Sequence, residues 1–258
     1  MASETERPRV VVSVTTSVDG RLTLGGDRRL IEPANADAWQ SMLPESAQRL
    51  EALRAERLRD RYGHYATLEG SGSLVADAAA SPFGPGHESK PDLLADHLPP
   101  ELVGREGHES WFAVVDGRGR VRWTMKRVGG ADLLVLTARA APAAYLSFLR
   151  AEGIPYLVAG EERVDLGAAL RRMRERLGVA CVVATGGGRL GGALLRAGLV
   201  DEVELLVAPA AIGGTGVPSL FDGPELAEGD APVRLRLMSA DAEDDGMLWL
   251  RYEVAGQT

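Results

Sequence analysis

The feature that most constrains the fold is a regular alternation of short apolar runs and helical stretches between residues 111 and 208. Runs rich in Val, Leu and Ile suit strands buried on both faces, and the stretches between them space apolar residues as helices do. The elements predicted here are strands at 111–115, 133–137, 155–159, 179–184 and 203–208, and helices at 143–151, 164–177 and 188–197. Such alternation favours an α/β architecture with a largely parallel sheet.

The two ends of the chain complete this architecture. A β-branched run, Val10–Thr16, predicts a buried strand, and Glu45–Arg61 predicts a helix with one apolar stripe. A short strand is expected at 65–69. Near the C-terminus, 233–239 and 247–254 alternate in polarity around a turn, which predicts an antiparallel hairpin. The expected fold is therefore α/β, with a mostly parallel sheet and an antiparallel C-terminal hairpin.

The chain is predicted to form one domain over 1–258, with a short flexible tail at 1–8. The stretch 82–110 is rich in Pro, Gly and charged residues, which predicts a long loop or flap, with one short helix near Asp92–Leu98. A loop of this length in a compact domain is usually either functional or disordered, and both readings stay open.

Composition excludes several classes of protein. A formal net charge of −8 argues against general binding to nucleic acid or to an anionic membrane. The single cysteine, Cys181, cannot form an internal disulfide or a cysteine-based zinc site, and the four histidines lack metal-ligand spacing. We therefore expect no metal site, and a single cysteine suits the reducing cytoplasm. No apolar run approaches the length of a membrane span.

The sharpest local pattern is the glycine-rich turn in Val182–Gly192, read as VVATGGGRLGG. It follows a predicted strand and opens a predicted helix, whose N-terminal N–H groups can bind a phosphate. A dinucleotide-binding Rossmann unit also needs an acidic residue at the end of the next strand, and here that strand ends in Ala208-Pro209. We therefore disfavour an ordinary Rossmann unit and expect a phosphate-binding turn, with close helix–strand packing as the alternative.

A second glycine-rich segment, Glu69–Asp77 (EGSGSLVAD), also follows a predicted strand. Ligands bind in open α/β sheets at the carboxyl ends of the strands. We expect the two glycine-rich turns to lie at that same edge.

Four segments together resemble the reductase family of riboflavin biosynthesis. They are SVDGR (Ser17–Arg21), SGSLVAD (Ser71–Asp77), VVDGRGRV (Val114–Val121) and the long block Thr185–Gly214. Members of that family resemble dihydrofolate reductase in fold and reduce a ribosylamino-pyrimidine phosphate with NADPH. The resemblance implies a three-layer dihydrofolate-reductase-like fold, NADPH as cofactor and a homodimer. The motif of the zinc deaminase often fused to this family, H-x-E with P-C-x-x-C, is missing from the sequence.

The resemblance also assigns cofactor contacts. These are Gly70, Ser73, Asp77, Gly117, Gly186, Gly187, Gly188, Arg189, Leu190, Gly191 and Gly192. Asp77 is in addition the catalytic candidate, expected to orient the substrate or relay a proton. Arg118, Arg139 and Arg189 are the candidates for binding a 2′-phosphate.

The predicted substrate contacts are Asp19, Arg28 and Thr185. Thr185 stands where family members usually have a substrate-binding Glu, and the family's Leu and Arg after the matched Asp are missing after Asp77. The cofactor-binding residues are therefore expected to match the family pattern, and the substrate-binding residues are expected to differ from it. The sequence predicts an NADPH-dependent reductase that transfers hydride to a C=N or C=O carbon. The alternatives are a nucleotide-binding module without catalysis and a reductase of a secondary pathway.

Overall fold

A computed structural model describes residues 6–63, 65–76, 79–84, 91–103, 105–106, 108 and 110–255. Its strands are β1 (Arg9–Ser17), β2 (Ala66–Gly70), β3 (Trp111–Val115), β4 (Arg127–Val128), β5 (Ala131–Thr137), β6 (Tyr156–Val158), β7 (Cys181–Ala184), β8 (Glu202–Ala208), β9 (Leu235–Ala242) and β10 (Leu248–Val254). Its α-helices are α1 (Pro33–Gln40), α2 (Ser46–Tyr62), α3 (Pro100–Val103), α4 (Ala143–Ala151), α5 (Leu166–Leu177) and α6 (Gly188–Arg196).

The chain divides into two compact units. The first comprises Met1–Pro8 and His64–Val182, and the second comprises Arg9–Gly63 and Val183–Thr258. The chain passes from the first to the second within β7. The prediction of a single domain over the whole chain stays a prediction.

The first unit is built on parallel pairing. β2 pairs with β3, β3 with β5 and β5 with β6, all parallel, while the two-residue β4 pairs antiparallel with β5. Its core gathers Val114, Leu133, Tyr145 and Leu149, all at most 1% exposed. Trp123 also belongs to this core and donates a 2.9 Å hydrogen bond from its indole N–H to the Tyr145 hydroxyl, so that a buried polar group is satisfied.

The described parts of 82–110 pack onto this core. The ring of Phe83 lies 5.2 Å from the ring of Tyr145, and Leu93 and Leu94 pack against the same cluster. His97 and Tyr156 exchange two backbone hydrogen bonds of 2.9 Å. The helix expected near Asp92–Leu98 is a 3-10 turn over Pro91–Leu94, and a separate four-residue helix, α3, follows it. A flap function for this stretch remains a prediction.

The second unit combines one parallel pair with an antiparallel C-terminal hairpin. β1 pairs parallel with β8, β8 pairs antiparallel with β10, and β10 pairs antiparallel with β9. The helix α2 covers β8 through Ala47 and Leu50, which pack on Leu206 and Ala208. The β-branched run in β1 is buried on both of its faces, as its composition predicts.

The predicted fold class is confirmed, because the pairing is mostly parallel with antiparallel strands at the C-terminus. The helix predicted at 164–177 begins at Leu166 and is capped by the Asp165 carboxylate, which accepts the Ala168 N–H. The strand predicted from 179 begins at Cys181, because the Val179 N–H bonds the Met173 carbonyl at the end of α5. Neither α1 nor β4 was predicted from the sequence.

Candidate active site

The glycine-rich turn in the second unit is the strand–turn–helix that the sequence predicts. The strand β7 ends at Ala184, Thr185 is exposed, and Gly186 is buried. Gly187 is the N-cap residue of α6, with φ −60° and ψ 168°, and the helix begins at Gly188. The first turn of α6 therefore carries the positive end of the helix dipole at the point where the glycines lie.

Three of these glycines are required by packing. A Cβ on Gly188 would collide with the Ser219 carbonyl oxygen, and a Cβ on Gly192 would collide with the Asp222 carbonyl oxygen. At Gly191 it would lie 2.8 Å from the Leu220 carbonyl oxygen. The backbone of 219–222 thus runs against the glycine face of α6. These glycines are needed for packing, but the partner is this irregular segment and not the strand that the packing alternative names.

Gly187 has a different environment. No atom lies within 4 Å of the position that a Cβ would take there, and its φ lies where any L-residue is allowed. Neither packing nor backbone conformation therefore requires glycine at 187. The open space lies at the N-terminus of α6, where a phosphate can approach the backbone, so this position fits the predicted phosphate-binding role.

Residues 218–222, which pack on α6 through 219–222, also connect this helix to the loop after β1. Leu22 donates its N–H to the Pro218 carbonyl at 3.0 Å, and Leu220 donates to the Gly20 carbonyl at 3.1 Å. Asp222 donates its N–H to the Gly188 carbonyl at 2.9 Å. Within the second unit, the turn that holds Asp19 and the glycine turn are therefore linked through one shared segment.

Asp19, a predicted substrate contact, is held by donors of its own chain. Its carboxylate accepts the Ser17 hydroxyl at 2.7 Å, the Ile212 N–H at 3.0 Å and the Gly213 N–H at 2.7 Å. These donors hold the pKa of the Asp19 carboxyl well below its usual range, with the Ile212 N–H contributing most. Asp19 thereby fastens the end of β1 to the loop that follows β8, and a contact with substrate stays a prediction.

The other predicted substrate residues in this unit are at the surface. Arg28 is exposed, and its Nε donates to Asn35 Oδ1 at 3.0 Å. Thr185 is exposed directly after β7. The first turn of α6 also contains Arg189, exposed, and Leu190, 7% exposed.

The first unit holds the second glycine-rich segment. Gly70 ends β2, and Ser73 lies in the 3-10 turn Ser71–Ser73 that follows. Asp77, the catalytic candidate, lies outside the described residues. Gly117 follows β3, where a Cβ would lie 3.1 Å from Val164 Cγ2, so close packing favours glycine there. Among the candidates for a 2′-phosphate, Arg139 is paired with Glu161 at 3.3 Å.

One buried residue joins these two segments of the first unit, and no role was assigned to it from the sequence. The Arg120 guanidinium donates from Nη2 to Ser71 Oγ at 2.8 Å and from Nη1 to the Ala76 carbonyl at 3.0 Å. The residue is only 6% exposed, and burial lowers the pKa of its guanidinium. The motif VVDGRGRV contains Arg120, so the signal was present, but its contacts lie more than forty residues away in sequence.

Comparison with known proteins decides the family. The family model described as the RibD C-terminal domain matches residues 8–249. The chain belongs to the RibD C-terminal domain family. The matched range spans both compact units of this family member.

Named relatives of this RibD-family chain include two archaeal proteins. Both are called 2,5-diamino-6-ribosylamino-4(3H)-pyrimidinone 5′-phosphate reductase. The protein from Archaeoglobus fulgidus is 30% identical over 220 residues, covering 84% of this chain and 87% of the relative. The protein from Methanothermobacter thermautotrophicus is 34% identical over 100 residues, covering 39% of this chain and 45% of the relative.

Solved structures support the fold. Acinetobacter baumannii RibD matches with a TM-score of 0.61 at 21% identity, over 97% of this chain and 59% of that chain. The riboflavin biosynthesis reductase Rib7 of Saccharomyces cerevisiae matches with a TM-score of 0.57 at 15% identity, over 99% of this chain and 93% of that chain. The predicted dihydrofolate-reductase-like fold is thereby confirmed.

The described residues contain no group of three or more His, Cys, Asp and Glu side chains placed to hold a metal ion. In the same part of the chain, no helix combines the length and the apolar character needed to cross a membrane.

Proposed function

We propose that this RibD-family chain is an NADPH-dependent reductase that transfers hydride to a C=N or C=O carbon of a ribosylamino-pyrimidine phosphate or a related small molecule. The observation that carries the proposal is the open position at Gly187, at the N-terminus of α6, inside a chain that matches the RibD C-terminal domain over 8–249. The names of the archaeal relatives support the reaction type.

The residues around the turn before α6 fit the phosphate groups of NADPH. The space that a Cβ would fill at Gly187 lets a phosphate reach the first N–H groups of α6, and the buried residues Gly186, Gly188 and Leu190 lie on either side of it in sequence. Gly70, Ser73 and Gly117 remain proposed cofactor contacts, as the family resemblance implies. When bound, the reduced nicotinamide supplies the hydride, and the protein contributes alignment and a dry site.

The substrate half is proposed to differ from that of the family. Thr185 offers a hydroxyl where the family resemblance implies a carboxylate, and Arg28 offers a cation at the surface of the second unit. Asp77 keeps its proposed role of orienting the substrate or relaying a proton. A hydroxyl in place of a carboxylate favours a substrate with fewer hydrogen-bond donors at that point.

Turnover tests this proposal. We expect the purified chain to oxidise NADPH in the presence of a ribosylamino-pyrimidine phosphate or of an unphosphorylated analogue, with Thr185→Glu shifting the preference towards the first. If the native chain and Thr185→Glu reduced the phosphorylated pyrimidine at equal rates, the proposal that the substrate-binding residues differ from the family would be contradicted. Absence of NADPH oxidation with every pyrimidine or imine offered would contradict the reductase.

The second candidate function is a nucleotide-binding module that lacks catalysis. It is favoured by Thr185 in place of the family Glu, together with the loss of the family's Leu and Arg after Asp77. A tight cofactor complex without turnover would support it. A secondary-pathway reductase, the third reading, would turn over a substrate outside the pyrimidine series.

We further propose a cytoplasmic homodimer. On β9 and β10 one face gathers Leu235, Leu237, Leu248 and Leu250, all of them partly or largely exposed. Their cross-strand register places these side chains on the same side of the hairpin. A second copy of the chain would cover this apolar face.

A further inference from the structure

Arg120 makes a two-point contact with the loop that follows β2. One guanidinium nitrogen bonds the Ser71 hydroxyl at 2.8 Å and the other bonds the Ala76 carbonyl at 3.0 Å. These acceptors lie at the start and near the end of the segment that carries Ser73, a proposed cofactor contact. A planar guanidinium can span two such acceptors at once, whereas an ammonium group binds as a single point.

The backbone that carries Arg120 is itself fixed. The buried Asp116 carboxylate accepts the Arg120 N–H at 2.8 Å, the Val121 N–H at 3.0 Å and the Tyr145 hydroxyl at 3.1 Å. Gly119 has φ 59°, and a Cβ there would lie 2.7 Å from the Tyr145 ring. These bonds hold the turn after β3, from which the Arg120 side chain reaches the β2 loop.

Burial makes this arrangement costly unless the guanidinium is well bonded. A cation removed from water loses hydration free energy that its new hydrogen bonds must offset, and burial lowers the pKa of Arg120. An apolar residue could fill the same space without that cost. The guanidinium bonds to Ser71 and to the Ala76 carbonyl restrain the loop, and an apolar residue could not form these bonds.

We propose that Arg120 is a positioning residue that holds the loop after β2, and with it Ser73, in the shape that receives the cofactor. It acts through Ser71 and the Ala76 carbonyl. This inference rests on the proposed function for its effect on cofactor binding. Its effect on the order of the loop is independent of any ligand.

The test compares Arg120→Lys with Arg122→Lys, a matched change at a nearby exposed arginine. In Arg120→Lys the charge is kept and the two-point contact is lost. We expect the amides of 72–76 to exchange with solvent on the order of ten times faster, and the Kd for NADPH to rise by a similar factor. Arg122→Lys should leave both unchanged. The melting temperatures show that each variant is folded.

A second comparison separates positioning from general stability. Ser71→Ala removes one of the two acceptors, so it should weaken NADPH binding in the native protein and have a smaller effect in Arg120→Lys. Additive effects of the two changes would overturn the inference.

The outcomes are distinguishable. If Arg120→Lys bound NADPH as tightly as the native chain and its amides of 72–76 exchanged at the native rate, the inference would be overturned. The proposed function would still stand. If the native chain binds neither NADPH nor NADH, the proposed function fails. Exchange of 72–76 then still decides whether Arg120 orders the loop.

Discussion

At the scale of single residues, glycine occurs in the 186–192 turn for two different physical reasons. Gly188, Gly191 and Gly192 make room for the backbone of 219–222, whereas Gly187 faces open space with an ordinary φ. Substitution should therefore separate stability from binding. The packed glycines should affect folding, and the open glycine should affect the ligand.

Gly187→Ala and Gly192→Ala test this separation. Gly192→Ala should lower the free energy of unfolding by about 1–3 kcal/mol or more, because a Cβ collides with the Asp222 carbonyl. Gly187→Ala should cost less, about 0.5–1 kcal/mol, because Gly187 is the N-cap residue of α6 and Ala caps a helix less well than Gly. The same Gly187→Ala change should weaken NADPH binding about tenfold, since the methyl group fills the phosphate position. Urea unfolding and calorimetry measure the two effects, and equal destabilisation by both variants would contradict the distinction.

Asp19 gives a prediction on pH dependence. Its folded pKa lies below the ordinary value of 3.8 because three donors favour the charged form. Such a group adds stability that is fully present above pH 3.8 and is lost as the pH falls towards the folded pKa. Asp19→Asn should therefore be less stable than the native chain near neutral pH, and the difference should shrink below about pH 4. Urea midpoints between neutral pH and about pH 3 measure it, and a pH-independent difference would show that the charge is not responsible.

The residue scale also shows what a sequence pattern can and cannot predict. The glycine turn was predicted because strand, turn and helix are adjacent in sequence. The Asp19 carboxylate accepts hydrogen bonds from Ile212 and Gly213. Arg120 donates to Ser71 and to the Ala76 carbonyl. Such pairings join distant parts of the chain, so no local pattern contains them.

At the scale of elements, strong patterns predict well and weak ones do not. The helix α4 has the predicted bounds, Ala143–Ala151, because its apolar residues follow the helical period. The helix α1 buries only Trp39 and contains Asn and Asp, so it has no apolar stripe to reveal it. The short strand β4 has two residues, both exposed, and it forms through pairing with β5.

The N-cap of α5 gives a prediction at this scale. The Asp165 carboxylate accepts the Ala168 N–H at 2.9 Å and satisfies one of the free donors at the start of the helix. Asp165→Ala should lower the free energy of unfolding by about 1 kcal/mol, and Asp165→Asn by less, because Asn also caps well. Urea denaturation measures both. An equal loss in both variants would show that charge, and not capping, stabilises the helix.

The apolar face of the C-terminal hairpin gives a prediction on assembly. Leu237 on β9 is 52% exposed on this face, next to Tyr252 of β10. Leu237→Glu should convert the proposed dimer to a monomer, because a charge cannot be buried unpaired in an apolar contact. Leu226→Glu, at a loop position with 58% exposure, is the matched control and should leave the dimer intact. Light scattering on the eluting protein measures the mass, and a monomeric native chain would contradict the proposal.

At the scale of the whole molecule, the family match runs from residue 8 to residue 249 and so includes both compact units. Gly70, Ser73 and Gly117 belong to the first unit, and the 186–192 turn, Asp19 and Thr185 belong to the second. Strand–helix alternation predicts this fold class, whereas the prediction of altered substrate-binding residues rests only on departures from a family pattern.

The central claim is that the chain binds NADPH at the turn before α6, and the most direct measurement is a calorimetric titration with NADPH and then NADH. Gly187→Asp is the decisive variant. Asp is a good N-cap residue, so α6 should form, while its carboxylate occupies the phosphate position. We expect NADPH to bind tightly to the native chain, more tightly than NADH, and the variant to lose this binding. Failure of the native chain to bind either nucleotide, or undiminished binding by Gly187→Asp, would contradict it.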